Sequence, residues 1–84
     1  MNMEIRSVRL NGCMVAVMLH EATEASIEAL KDEAKRISSA NFRADVQHAG
    51  EFKRMKLTFE EPRDAKAMFQ HVIDIAYGGA EETA

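Results

Sequence analysis

Hydrophobic and polar residues form two strand-like stretches and one helical stripe, and the same series then repeats. Residues 4–10 and 13–20 hold enough β-branched residues to be strands. Asn11-Gly12 between them predicts a two-residue type I′ hairpin turn, because both residue types tolerate positive φ. Thr23 is a candidate N-cap, and apolar residues then recur at steps of three and four, which predicts a helix. The stripe consists of Ile27, Leu30, Ala34 and Ile37.

The second half of the chain has the same order of elements. Residues 42–48 alternate between apolar and polar, Ala49-Gly50 predicts a second tight turn, and residues 52–59 predict a fourth strand. Pro62 suits the first turn of a helix, where its missing N–H costs nothing, and Gly78-Gly79 is predicted to end that helix. The apolar stripe of this helix is Ala65, Met68, Phe69, Val72, Ile75 and Ala76.

The two halves superimpose with an offset of 38 residues, which places Gly12 on Gly50 and Leu19 on Leu57. Few identities accompany this match, so the sequence supports a repeated pattern and not a duplication. The predicted fold is α+β: a ββαββα two-layer sandwich with a four-stranded, mainly antiparallel sheet and two helices on one face. The pattern leaves the strand order open.

Length and composition predict one folded domain. The chain has 84 residues, of which 46% are hydrophobic and 30% charged, as in ordinary globular domains. We expect a single α+β domain at residues 1–79 and a flexible acidic tail at residues 80–84. Since the sequence shows no long apolar run, no signal-peptide pattern and only one cysteine, we expect no membrane partner and a cytoplasmic protein.

The chemistry-bearing residues form no recognisable catalytic, metal or cofactor pattern. The three histidines and the lone Cys13 lack the close pairing that a zinc site uses. All four glycines lie at predicted turns or at the helix end, so no phosphate loop is present. A domain this small seldom encloses a pocket of about 300 Å³ or more. The sequence therefore predicts a non-enzymatic protein without cofactor, metal or small-molecule substrate.

The strand positions that face away from the helices are unusual in two respects. On the first two strands they are too apolar for an exposed sheet, and their charges are mostly basic. The hairpin segments 4–20 and 42–59 carry six basic and three acidic residues, so a basic sheet belongs to a chain of net charge −3. The residues predicted to contact a partner are Ile5, Arg9, Met14, Met18, Arg43, Phe52, Arg54 and Lys56.

These features favour a protein-binding module of the adaptor or inhibitor type. Its apolar, basic-rimmed sheet face would meet a second copy of the chain, as a homodimer, or an acidic surface of another protein. Phage-encoded blockers of host machinery are one class of inhibitor that this length and charge distribution suit. The alternative is a nucleic-acid contact by the same face, in which Phe52 stacks on a base and the basic residues meet phosphates.

Purely structural explanations exist for each of these features. The second strand would be apolar on both sides if it were central and the helices lay elsewhere, and methionines often fill cores. A bulge beside Gly50 would turn Phe52 inward. Arginine and lysine also protect strand edges against aggregation.

Overall fold

In the computed structural model, four antiparallel strands form one open sheet, and two helices pack on one side of it. The predicted two-layer α+β fold with the order ββαββα is confirmed. The structure describes residues 4–82, and side chains through residue 76. The elements are β1 (Glu4–Asn11), β2 (Met14–His20), α1 (Glu24–Ile37), β3 (Phe42–Ala49), β4 (Phe52–Phe59) and α2 (Pro62–Glu82).

The sheet has the strand order β1-β2-β4-β3, so β2 and β4 are central and β1 and β3 are edges. Each element of the second half begins 38 residues after its counterpart, as Glu4 and Phe42 or Glu24 and Pro62 show. The two central strands pair antiparallel, and Val17 lies directly opposite its own equivalent, Met55. A pseudo-twofold axis therefore passes through this pair and relates the two ββα halves.

The core lies between the sheet and the helices. Helix α2 contacts β1, β2 and β4, whereas α1 contacts β3 and α2, so each helix covers an edge strand of the other half. This exchange unites both halves around one hydrophobic core. The core residues are Val15, Val17, Leu19, Ala22, Ile27, Leu30, Ala34, Met55, Leu57, Phe59, Ala65, Met68 and Val72.

Local hydrogen bonds fix where the helices begin. Thr23 is the N-cap of α1, and its Oγ1 accepts the backbone N–H of Ser26 at 3.1 Å, as the sequence predicted. In α2, a carboxylate oxygen of the buried Asp64 accepts the N–H and the hydroxyl of Ser39 at 2.8 and 2.7 Å. These two hydrogen bonds hold the pKa of Asp64 below its usual range. They also join the connection between α1 and β3 to the first turn of α2.

Both hairpin turns lie one residue later than predicted. Asn11 pairs with Met14, so the first loop is Gly12-Cys13. Gly12 has a φ of 63° and Gly50 has the same φ at the equivalent turn, whereas neither neighbour has a positive φ. A positive φ at the first loop position alone is the pattern of a type II′ turn, for which glycine is the usual residue. The type I′ prediction is therefore wrong, because Asn11 still belongs to the strand ladder.

The predicted end of the second helix is also wrong. Helix α2 continues through Gly78 and Gly79 to Glu82. Glycine costs about 1 kcal/mol relative to alanine in a helix, but it keeps its backbone N–H and so does not break the hydrogen-bond ladder. Residues 83 and 84 of the predicted tail lie outside the described residues. Within 4–82, neither helix is long and apolar enough to cross a membrane.

Ile5 lies on the other side of the sheet from its predicted position. The register between β1 and β2 shifts between Ile5 and Ser7, which leaves Arg6 without a partner in the ladder. Ile5 is therefore opposite Leu19, on the side of the helices, and packs against the core. Because one inserted residue reverses the side-chain alternation, the prediction that Ile5 lies on the side away from the helices is wrong.

Candidate interaction surface

The side of the sheet away from the helices is a regular grid of side chains, which we call the open face. Directly opposite residues on paired strands share a face, so the pairing assigns every position. Within residues 4–82, no other element packs on it. The open face comprises Glu4, Ser7, Arg9 and Asn11 of β1, Met14, Ala16, Met18 and His20 of β2, Phe52, Arg54, Lys56 and Thr58 of β4, and Arg43, Asp45, Gln47 and Ala49 of β3.

The centre of the open face is apolar along β2 and basic on both sides of it. Met14, Ala16 and Met18 form the apolar row, and each of the three is half-buried. Arg9 of β1 and Lys56 of β4 are the direct neighbours of Ala16, one on each side. A concavity of 420 Å³ covers this region and extends to Ser7, Asn11 and Arg54. Strand β2 is indeed central, but the helices lie on the opposite side, so its second apolar face is open.

The basic residues of the open face lack the ion pairs found elsewhere in the chain. Among the described residues, no carboxylate oxygen lies within 4.0 Å of the charged nitrogens of Arg9, Arg54 or Lys56. By contrast, Lys31 pairs with Glu28 and Arg36 with Glu33 on α1. The positive charges at the centre of the open face are therefore available to an anionic partner.

The pseudo-twofold axis shows how unevenly this chemistry is distributed. It exchanges the positions of Met18 and Lys56, and of Ala16 and Arg54, on the equivalent central strands of the two halves. The first half thus contributes an apolar strand and the second half a basic strand. The open face therefore changes from apolar on β2 to basic on β4, and this asymmetry gives a partner a defined orientation.

One end of the open face carries a histidine held by carboxylates. Nδ1 of His20 lies 3.0 Å from Oε1 of Glu4, and its Nε2 lies 3.6 Å from Oε2 of Glu51. The hydrogen bond to Glu4 raises the pKa of His20, and the carboxylates of Glu21 and Glu51 act in the same direction. The Phe52 ring packs on the imidazole with centroids 5.0 Å apart. Phe52 thus lies on the open face in register with His20, and no bulge beside Gly50 turns it inward.

The structure brings together five of the eight predicted partner residues. Arg9, Met14, Met18, Arg54 and Lys56 line the same concavity. The other three lie apart: Arg43 on the edge strand β3, Phe52 beside His20, and Ile5 on the side of the helices.

The sequence placed Ser7 on this side of the sheet but did not predict that it contacts a partner. It did not identify Asn11, which also lines the concavity, or the carboxylates around His20. The register between β1 and β2 was the missing information. It places Ser7 beside Met18 and Glu4 beside His20.

The single thiol is not part of this surface. Cys13 lies in the first hairpin turn and not in β2, and its Sγ is 3.8 Å from the carbonyl oxygen of Glu60. Among residues 4–82, no three His, Cys, Asp or Glu side chains come together as metal ligands.

Comparison of the chain with protein-family models, curated proteins and solved structures found no match. The open face itself therefore carries the functional argument.

Proposed function

We propose that this protein is a non-enzymatic protein-binding module whose open face binds an acidic, partly apolar surface of another protein. The observation that supports the proposal is the apolar row of Met14, Ala16 and Met18. The row is half-buried by its neighbours on the sheet, no described element packs over it, and it lies between Arg9 and Lys56. Exposed apolar rows surrounded by charge are typical of interaction sites. By occupying such a surface, the module would serve as an adaptor or an inhibitor.

The charge of the open face favours a foreign partner over a second copy. The open face carries four basic and two acidic residues, so two copies placed face to face would repel each other. The outer side of α1 is acidic, but its exposed apolar residues include only the small Ala25 and Ala29. A contact between that helix and the open face of the next copy would also be head to tail, which propagates instead of closing a dimer.

The position of Phe52 weighs against nucleic acid. A base stacked on this ring would lie beside the carboxylates of Glu4 and Glu51, which are held there by His20. The basic residues lie further along β4, where Arg54 is beside Met18 and Lys56 beside Ala16. Because Arg54 is the next open-face residue after Phe52, the ring has positive charge on one side and the two carboxylates on the other, whereas single-strand binding favours rings set in a positively charged groove.

The proposal is tested by titrating the 15N-labelled protein with a water-soluble random copolymer of glutamate and leucine. We expect amide shifts that are confined to β1, β2 and β4 and that disappear at high salt, since exposed charges are screened. Met18→Lys should weaken binding by about tenfold, because a buried ammonium would replace an apolar contact. The unfolding midpoint should change little, because Met18 faces away from the helices.

Two controls make the outcome decisive. Ala29→Lys adds the same charge on the exposed side of α1 and should leave binding unchanged. Polyglutamate alone should bind more weakly than the copolymer, because it offers no apolar group. Absence of binding at low salt, shifts centred on the helices, or unfolding by Met18→Lys would each contradict the proposal. A dimer in sedimentation equilibrium would replace the foreign partner with a second copy.

A further inference from the structure

The geometry of the open face points to one kind of partner: we propose that an acidic amphipathic helix lies along β2, with its apolar stripe on Met14, Ala16 and Met18. This inference rests on the proposed function, because it specifies the shape of the acidic protein surface that the open face binds. Three measures of the grid carry it: its width, its spacing along β4, and the sizes of the side chains along β2.

The distance between β1 and β4, across β2, fits a single helix. Arg9 and Lys56 lie on the strands on either side of Ala16. Strands are about 4.8 Å apart, so the two backbones are separated by about 10 Å, which is close to the diameter of a helix with its side chains. A helix centred over β2 would therefore have a basic side chain along each of its flanks.

The spacing along β4 fits the helical repeat. Arg54 and Lys56 are two residues apart on one strand and share the open face, which separates them by about 6.6 Å. Residues four apart on a helix are about 6 Å apart along its axis and lie on the same side. Glutamate or aspartate at positions i and i+4 of the partner would thus meet Arg54 and Lys56 together. On the other flank, a single carboxylate would meet Arg9.

The side chains of β2 leave room for an apolar anchor. Ala16 is small and lies between Met14 and Met18, so the row has a gap at its centre. Methionine adapts its shape to a partner, and a leucine or phenylalanine of the helix would fit between the two. The seven residues of β2 span about 20 Å, which corresponds to about 13 helical residues.

An extended segment would not match this pattern. Side chains of a strand alternate between opposite directions, so only one row of them would reach the open face. That row can supply apolar groups for β2 or carboxylates for the flanks, but not both. A helix presents an apolar stripe with a polar border on each side, which is the arrangement that the three strands require.

The test uses two synthetic peptides of about 14 residues with the same numbers of leucines and glutamates. The helical probe has leucines at helical spacing, glutamates on both borders and a hydrocarbon staple on its outer side. In the extended probe, the same leucines and glutamates alternate strictly along the chain. This probe has no staple and no proline. Affinity for each is measured by calorimetry, and the site is located by amide shifts of the 15N-labelled protein.

We expect the helical probe to bind at least about tenfold more tightly than the extended probe, with shifts along β2. The double variant Arg54→Glu with Lys56→Glu should abolish binding of the helical probe. The matched control, Lys35→Glu with Lys66→Glu, makes the same change of charge at exposed positions of the helices and should leave binding unchanged. Circular dichroism of each variant verifies that the domain stays folded.

The remaining outcomes separate this inference from the proposed function. Equal or tighter binding of the extended probe at the same face would overturn the helical partner and leave the protein-binding function in place. Absence of binding by both probes, together with no response to the glutamate–leucine copolymer, would overturn both. Binding of single-stranded DNA at the open face, with a log–log salt slope of about −0.7 per phosphate contact, would also overturn both in favour of nucleic acid.

Discussion

Leu57 shows how strongly one side chain on the helix side of the sheet contributes to stability. It lies on the central strand β4, has no exposed surface, and is opposite Val15 on one side and Ala44 on the other. Truncation to alanine removes buried methyl groups and leaves a cavity that the close-packed neighbours fill only in part. This loss acts on a domain whose total stability is expected to be about 5–15 kcal/mol.

We predict that Leu57→Ala lowers the free energy of unfolding by about 2–5 kcal/mol, measured by urea denaturation. Thr58→Ala is the matched control, because Thr58 is exposed on the open face of the same strand. Its effect should stay below about 0.5 kcal/mol. A similar change in both variants would contradict the assignment of the two faces.

At the residue scale, the alternation of apolar and polar residues predicted which side chains of β2, β3 and β4 face the helices. It failed at the start of β1. Met18 and Phe52 lie on the predicted side, because their strands pair without irregularity. Ile5 does not, because the bulge at Arg6 shifts the register by one residue. A bulge depends on how the partner strand continues, so alternation within β1 alone cannot reveal it.

At the scale of elements, the equivalent helices cover the sheet to different degrees. Helix α1 leaves a cleft of 340 Å³ above β3, lined by Lys31, His48 and Lys53 among others. The position equivalent to Lys31 in α2 is Phe69, which packs against the core. A large apolar side chain thus occupies the place over β1 that a lysine leaves open over β3.

We therefore predict that Lys31→Leu raises the free energy of unfolding by about 0.5–2 kcal/mol, the usual range for filling a cleft. The lost ion pair with Glu28 is exposed and contributes little. Lys35→Leu changes an exposed residue of the same helix and should have an effect below about 0.5 kcal/mol. If both variants were equally stabilised, the increase in the free energy of unfolding would come from helix propensity and not from filling the cleft.

The order and bounds of the elements followed from the sequence to within one or two residues, except at the end of α2. Local sequence signals were enough to predict the strands and α1. In α1, the predicted N-cap and the predicted apolar stripe both match the structure. The glycines were decisive at the turns, where a positive φ is required, but not in α2, where Gly78 and Gly79 remain helical. The strand order depends on contacts between the two halves, and no local pattern encodes it.

At the scale of the whole molecule, the two halves share the order and spacing of their elements but differ in the chemistry of their open-face side chains. The axis through Val17 and Met55 relates the helices and strands of the two halves, yet on the open face the β2 row is apolar and the β4 row is basic. The central part of the candidate surface was predictable, because it lies on the two regular strands. Its acidic end was not, because Glu4 and Glu51 are 47 residues apart in the chain and meet only through His20.

This acidic end joins the two halves. His20 belongs to β2 and contacts Glu4 of the first half and Glu51 in the turn of the second half. The equivalent position is Thr58, which cannot carry a charge, and among the described residues no ion pair joins the two halves at that end of the sheet. The other charged groups near His20 are Glu21, which also favours the imidazolium, and Arg6, which pairs with Glu4.

The stability of the domain should therefore depend on the protonation of His20. Because its pKa is raised in the folded state, the imidazolium stabilises the fold fully below the unfolded value of about 6.5, and this contribution is lost as the pH rises through the folded value. We predict that His20→Gln destabilises the domain at about pH 6 and that the difference from the wild type shrinks by about pH 8, measured by urea denaturation at both pH values. A difference for His20→Gln that grows towards high pH would mean that the neutral imidazole, packed on Phe52, stabilises this end of the sheet, and that the carboxylates do not.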